Sequence, residues 1–191
     1  MVGKFIVITG LDGSGTTSIG KKLAEWDKDG YYLQTPEGVF SACRKEVINA
    51  LRDDYHDAHY LYYLASVVKA SHDILEKLKT HNVYCVRYLI DTVVSHRTMG
   101  LDVELSYDLG FTQLAIPDIT LFVHIDEVER QQRITARGKS TLDMKLDDVA
   151  FRQTFIAQFE RLASHFTIID NSSTLDICIT KAKQIIQPLI R

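Results

Sequence analysis

"ITGLDGSGTTSIGKKL", Ile8–Leu23, decides how this 191-residue chain is read. Gly10 and Gly15 stand in the spacing Gly-x-x-x-x-Gly, with Gly13 between them. Glycines let a backbone wrap closely around a phosphate and turn several N–H groups inward. The N-terminus of a following helix adds partial positive charge. The flanks suit this use. Lys4–Thr9 (KFIVIT) reads as a short buried strand and Thr16–Trp26 as a helix, with Ile19 and Leu23 four apart and Trp26 three further on. Gly10, Asp12, Gly13, Ser14, Gly15, Thr16, Thr17 and Ser18 are therefore the candidate phosphate-binding residues. Thr17 holds the position of a magnesium-binding hydroxyl, and Asp12 is a second candidate for that ion, or a residue that caps the turn.

One residue of the pattern is missing. The position after Gly15 normally carries lysine and here carries Thr16. A cation about 4 Å from a phosphate oxygen contributes roughly 4 kcal/mol at an effective dielectric of about 20. Its outright loss would slow phosphoryl transfer on the order of a thousandfold. Lys21 and Lys22 lie more than a helical turn further on, and Lys4 is at the wrong end of its strand. The candidate substitutes are distant in sequence: Arg133, Arg137, Lys139 and Lys145.

Beyond the loop, short apolar runs alternate with helical periodicity. Tyr31–Leu33, Val83–Leu89 and Phe166–Ile169 read as strands, as does Ile119–Ile125 after the stop at Pro117-Asp118. Helices are expected over Ser41–Leu51, His59–Lys79, Asp126–Ala136, Asp147–Ser164 and Thr174–Ile186, with another starting near Asp91 and a short helix or loop over Tyr107–Ala115. This alternation predicts an α/β fold, one five-stranded parallel sheet with helices on both faces. Ligands in such sheets bind off the carboxyl ends of the strands, which directs attention to Gly10–Thr17, Arg87–Thr92 and the segment after Ile125. The Phe151/Phe155/Phe159 stripe reads as core. His56 and His59 make at most half a metal site.

Apolar residues are 46% and charged residues 25% of the chain, a globular balance. Net charge is -3, which argues against a broad nucleic-acid-binding face. No run reaches the roughly 18 apolar residues of a membrane span. Three widely spaced cysteines fit reduced thiols in a cytoplasmic protein. With three prolines and no linker, residues 1–191 are expected to form one domain.

Read together, several segments resemble the thymidylate kinase family of nucleoside monophosphate kinases, whose fold carries a phosphate-binding loop. "FIVITGLDGSGTTS" is similar to its opening strand and loop, and "TPEG", Thr35–Gly38, to its Pro/Glu segment. "VRYLIDT", Val86–Thr92, resembles its Asp-Arg-Tyr motif, with Arg87 and Tyr88 kept. "PDITLFVHID", Pro117–Asp126, with "RQQRITARG", Arg130–Gly138, is similar to its fourth strand and the approach to its lid. "FTIIDNSSTLD", Phe166–Asp176, resembles its closing strand and helix. The resemblance implies ATP and Mg2+ as cofactors, nucleotide substrates, a lid over about residues 137–148, and a homodimer. It further implies that Arg87 clamps the acceptor phosphate, with Tyr88, Glu37 and Lys69 as further acceptor-site candidates, and that Arg133 and Arg137 close over the transferred group. Left to themselves, Arg133 and Arg137, four apart on a helix, also read as a solvated face, and Glu37 as a surface charge.

Three positions depart from the family's pattern: Thr16 for lysine, Val86 for aspartate, and "LASVVKAS", Leu64–Ser71, where an expected arginine is absent and Lys69 is the nearest cation. They imply a changed acceptor or a displaced catalytic cation in a kinase that moves the ATP γ-phosphoryl group. A nucleotide-binding protein with little or no kinase activity, and a kinase of a non-nucleotide small molecule, are the alternatives.

Overall fold

Every residue of Phe5–Gly10 (β1) is buried, as expected of a strand covered on both faces. The computed structural model describes residues 3–51, 54–138 and 145–190. After β1 come α1 (Thr16–Trp26), β2 (Gly30–Gln34), α2 (Gly38–Ala42), α3 (Arg44–Ala50), α4 (His56–Lys77), β3 (Asn82–Val86), α5 (Leu89–Thr98), β4 (Ile119–His124), α6 (Glu127–Arg137), α7 (Val149–Glu160), β5 (Thr167–Asp170) and α8 (Leu175–Ile186). The five strands form one parallel sheet in the order β2-β3-β1-β4-β5. β1 is the central strand, so the glycine loop that follows it opens in the middle of the sheet's carboxyl edge.

Strand periodicity sorts the core into two layers. Phe5, Val7, Val83 and Cys85 face one way, onto Val67, Ala70 and Ile74 of α4, Val93 and Val94 of α5, and Phe155 and Phe159 of α7. Ile6, Ile8, Tyr84, Val86, Leu121 and Val123 face the other, onto Ile19 and Leu23 of α1 and Ile179, Ala182 and Ile186 of α8. Helices on both faces of one five-stranded parallel sheet are what the alternating pattern predicts. The phenylalanine stripe of α7 is core at Phe155 and Phe159, and Phe159 packs against Phe122 and Phe166.

Local departures have local causes. The helix expected over Ser41–Leu51 is divided into α2 and α3 at Cys43, whose φ -90° and ψ 4° leave the helical basin. The strand expected over Val83–Leu89 stops at Val86, because Arg87 adopts φ 64°, the left-handed region that a strand cannot hold. Residues 107–115 are not helical; their regular feature is an isolated antiparallel bridge, Asp108 to Gln113. Helix α7 starts late, after Asp148, whose Oδ1 accepts the Phe151 N–H at 2.9 Å as an N-cap. Lys139 and half of the expected lid, residues 139–144, lie outside the described residues.

Candidate nucleotide and phosphoryl-transfer site

The loop between β1 and α1 is braced from three directions. Gly15 has φ 96°, and a Cβ there would stand 2.7 Å from Asn171 Nδ2. Gly13 has φ 88°, and its Cβ would stand 2.8 Å from Ile134 Cγ1. Only glycine fits either place. Asn171, fully buried after β5, donates from Nδ2 to the Ser14 carbonyl at 2.7 Å. Arg130, 1% exposed, makes two bonds to the Glu127 carboxylate at 2.7 and 2.9 Å and donates from Nη1 to the Asp12 carbonyl at 3.1 Å. The Ser14 hydroxyl is buried with no partner among the described residues. A glycine cradle at a helix N-terminus fits a phosphate group.

A cavity of about 520 Å³ opens from this loop. Asp12, Gly13, Gly15, Thr16, Thr17 and Ser18 line it, whereas Gly10 and Ser14 lie behind as supports. Arg133 and Arg137 of α6 and Lys145 line the same cavity. Arg133 donates from Nε to Glu129 at 2.9 Å and from Nη2 to the Asn171 carbonyl at 3.0 Å. Its Nη1 lies 3.8 Å from the point a Cβ on Gly15 would occupy. A guanidinium therefore stands beside Gly15, in the cavity that Thr16 also lines. The nearer lysines are turned elsewhere: Lys21 lies over the Tyr32 ring, Lys22 pairs with Asp176 at 3.6 Å, and Lys4 pairs with Asp118 at 2.9 Å.

Arg87 lies at the cavity's middle, and its backbone is pinned. Its N–H donates to the Ile8 carbonyl at 3.0 Å and its carbonyl accepts from Thr35 Oγ1 at 3.1 Å. A positive φ on a non-glycine residue is a strained geometry that tends to mark functional sites. The guanidinium pairs with Asp12 and, at 3.3 Å, with Asp91. Asp91 escapes sequence reading. Its Oδ1 accepts from Thr9 Oγ1 at 2.7 Å and its Oδ2 from the Tyr88 N–H at 3.0 Å. Burial pushes its carboxyl up, against the opposing pull of Arg87 and Thr9. A carboxylate thus stands in the cavity although Val86 lacks one; Val86 itself packs under α1 near Gly20. Arg87 precedes α5 at a positive φ, so no helix face joins it to Asp91 and the spacing of the two carried no signal.

The far part of the cavity is built from α3, α4 and α5. Thr92, Ser95, His96 and Met99 present one helical face of α5, His59 and Tyr63 one face of α4, and Arg44 and Ile48 enter from α3. Arg44 donates from Nε to Tyr63 Oη at 3.0 Å. Tyr88 lines the cavity too, with its side chain almost fully buried. Glu37 and Lys69 do not. Lys69 Nζ bonds Glu37 Oε1 at 2.6 Å and also pairs with Asp73, so these two acceptor-site candidates engage each other away from the cavity lining. Burial pushes the Glu37 carboxyl up against the pull of Lys69.

The sequence profile of the thymidylate kinase family matches residues 8–181. The chain belongs to the thymidylate kinase family. The thymidylate kinase of Ligilactobacillus salivarius is 28% identical, with 92% of this chain and 93% of that protein aligned. A probable thymidylate kinase of Pyrococcus horikoshii is 30% identical over 74% of each chain. The solved thymidylate kinase of Candida albicans superposes with a TM-score of 0.75 at 19% identity, covering 98% of this chain and 92% of that one. These relatives support the family's phosphotransferase class, and the solved structure matches the α/β architecture. No helix among the described residues is long and apolar enough to cross a membrane.

Proposed function

We propose that this chain is a working nucleoside monophosphate kinase that transfers the γ-phosphoryl group of ATP to a thymidylate-like acceptor, with Arg133 supplying the charge that Thr16 lacks. The observation that carries this reading is the guanidinium of Arg133 over Gly15, in the cavity that Thr16 and Thr17 line. Phosphoryl transfer asks chiefly for positioning and for neutralisation of charge on the transferred group. Glu129 and the Asn171 carbonyl hold that cation at the loop.

The roles follow from the contacts. Backbone N–H groups of Gly13 and Gly15–Thr17 hold the donor phosphates, while the Ser14 N–H closes the turn onto the Leu11 carbonyl at 3.0 Å. Arg87 clamps the acceptor phosphate, exchanging a carboxylate partner for a phosphate through the same planar fork. Thr17 would hold Mg2+, with Asp12 and Asp91 as the nearby carboxylates; all three line the cavity. When bound, the ion would neutralise charge on the donor phosphates. Arg137 and the lid over about residues 137–148 close the donor end. The whole chain acts as one kinase domain, cytoplasmic and, by its family, homodimeric; light scattering tests the last point.

The deciding experiment incubates the protein with ATP, Mg2+ and a panel of nucleoside monophosphates, nucleosides and sugars, and follows ADP. Acceptor-dependent ADP with a thymidylate-like monophosphate is expected. Tight ATP binding with no acceptor-dependent ADP would favour a nucleotide-binding regulator instead.

A further inference from the structure

Two carboxylates share the Arg87 fork, and they are not held alike. Nη2 meets Asp12, and Nη1 meets Asp91 at 3.3 Å. Asp91 is fixed by groups other than Arg87. Its Oδ1 accepts from Thr9 Oγ1 at 2.7 Å, and its Oδ2 from the Tyr88 N–H at 3.0 Å, where α5 begins. The Asp12 carboxylate has no such support. Among the described residues it meets Arg87 alone, and the brace on this residue is at its backbone, through the carbonyl that Arg130 holds.

Thr9 sharpens the contrast. Side chains alternate along a strand, so Thr9 follows Phe5 and Val7 onto the face covered by α4, α5 and α7. It is fully buried, behind the cavity that Asp12, Arg87 and Asp91 line. An apolar side chain would satisfy the packing there. A buried hydroxyl needs a partner, and this one finds Asp91, 82 residues further along the chain. The Arg87 backbone is pinned at φ 64°, and one terminal nitrogen is fastened to an anchored carboxylate, so the side chain has little freedom left. Its other terminal nitrogen is then offered to the cavity at a fixed place. A fork held in advance binds a phosphate without first being ordered. A phosphate that competes for Arg87 displaces the partner held least.

We propose that Thr9 and Asp91 are positioning residues that aim Arg87, and that Asp12 is the exchangeable partner that the acceptor phosphate displaces. This rests on the nucleotide-kinase reading above and deepens it by saying how the clamp is regulated. The buried Thr9–Asp91 pair raises affinity for the acceptor's phosphate. The Asp12 contact ties the glycine loop to the clamp and opposes that affinity. The two acids therefore act with opposite sign on one ligand group.

The test is calorimetric binding of dTMP and of thymidine without ATP or Mg2+, so that neither transfer nor metal enters. The ratio of the two dissociation constants isolates what the phosphate adds. Thr9→Val keeps shape and burial, changes no charge and removes the hydroxyl. It should weaken dTMP about three- to tenfold and leave thymidine within about twofold. Thr9→Ser should restore most of the loss. Asp91→Glu keeps the charge but displaces the carboxylate by one methylene, and should weaken dTMP about tenfold. Asp12→Asn should do the reverse and tighten dTMP about two- to fivefold, as expected for loss of a partly exposed competing pair. In an Arg87→Ala background, Thr9→Val and Asp12→Asn should each change the ratio by less than about twofold, because both act through the guanidinium. A merely structural or through-space effect would persist there and overturn the proposal. So would an unchanged ratio in Thr9→Val or Asp12→Asn, or weaker dTMP binding in Asp12→Asn. Should Asp91→Glu not fold, those two variants decide. Loss of phosphate preference in Arg87→Ala with none in Thr9→Val would leave the clamp standing and remove the positioning pair. A wild type that binds thymidine as tightly as dTMP would instead sink the acceptor-clamp reading, and the proposal with it.

Discussion

If Arg133 carries the charge that Thr16 lacks, Arg133→Met is the perturbation that exposes it. Methionine retains much of the apolar stem and removes the guanidinium. Nη1 lies 3.8 Å from the Cβ position of Gly15, and Arg133 lines the cavity together with Thr16 and Thr17. A unit charge at about 4 Å and an effective dielectric of about 20 contributes roughly 4 kcal/mol. The Glu129 carboxylate, bonded to Nε at 2.9 Å, offsets part of that field. The expected loss is therefore about 2–4 kcal/mol of transition-state stabilisation, a fall of roughly 30- to 1,000-fold in kcat. Loss of the bond to the Asn171 carbonyl adds about 1 kcal/mol of instability. Rates are accordingly measured well below the melting temperature, with circular dichroism as the control. The assay is steady-state ADP production with saturating ATP and acceptor. Arg133→Lys should retain more activity than the methionine variant. Thr16→Lys should change the wild type little and rescue Arg133→Met by at least tenfold, since both cations serve the same phosphate. A methionine variant that keeps kcat within about threefold of the wild type would refute the substitution of charge.

Three further outcomes are expected. Gly15→Ala forces a Cβ to 2.7 Å from Asn171 Nδ2 at φ 96°, so ATP affinity should fall at least about tenfold; Gly100→Ala, at φ 93° with open space around it, should cost only the backbone strain of about 1–2 kcal/mol in thermal unfolding. Burial holds the His96 imidazole below its ordinary 6.5, so below that pH the unfolded chain takes up a proton that the folded chain refuses. Stability should then fall as pH drops from 7 to 5, and the fall in urea midpoint should be shallower in His96→Phe. Lys69→Ala removes a cation already held by Glu37 and Asp73 outside the cavity lining, and should leave the acceptor KM within about twofold.

The sequence made the sheet legible because both signals involved are local. Gly10, Gly13 and Gly15 mark a turn only glycine can make, and the apolar runs of Phe5–Thr9 and Ile119–Val123 need no partner to be recognised. The same holds for the arginines of α6, which sit four apart on one face. Asp91 was harder. Its meaning comes from Thr9 and Arg87, which the fold brings together across two strands. Glu37 and Lys69 misled for the converse reason: each looks like a ligand-binding charge alone, and their mutual bond appears only when α4 passes beside the start of α2.

Arg130 ties the glycine loop to α6 through the Asp12 carbonyl, and Arg133 is its neighbour one turn along. One fully buried side chain, held by Glu127, therefore sets two things at once: the height of the glycine loop above the sheet and the distance from that loop to Arg133. A substitution that loosened Arg130 would shift the cradle and the guanidinium beside it together, so that loop shape and local charge cannot be tuned independently of each other.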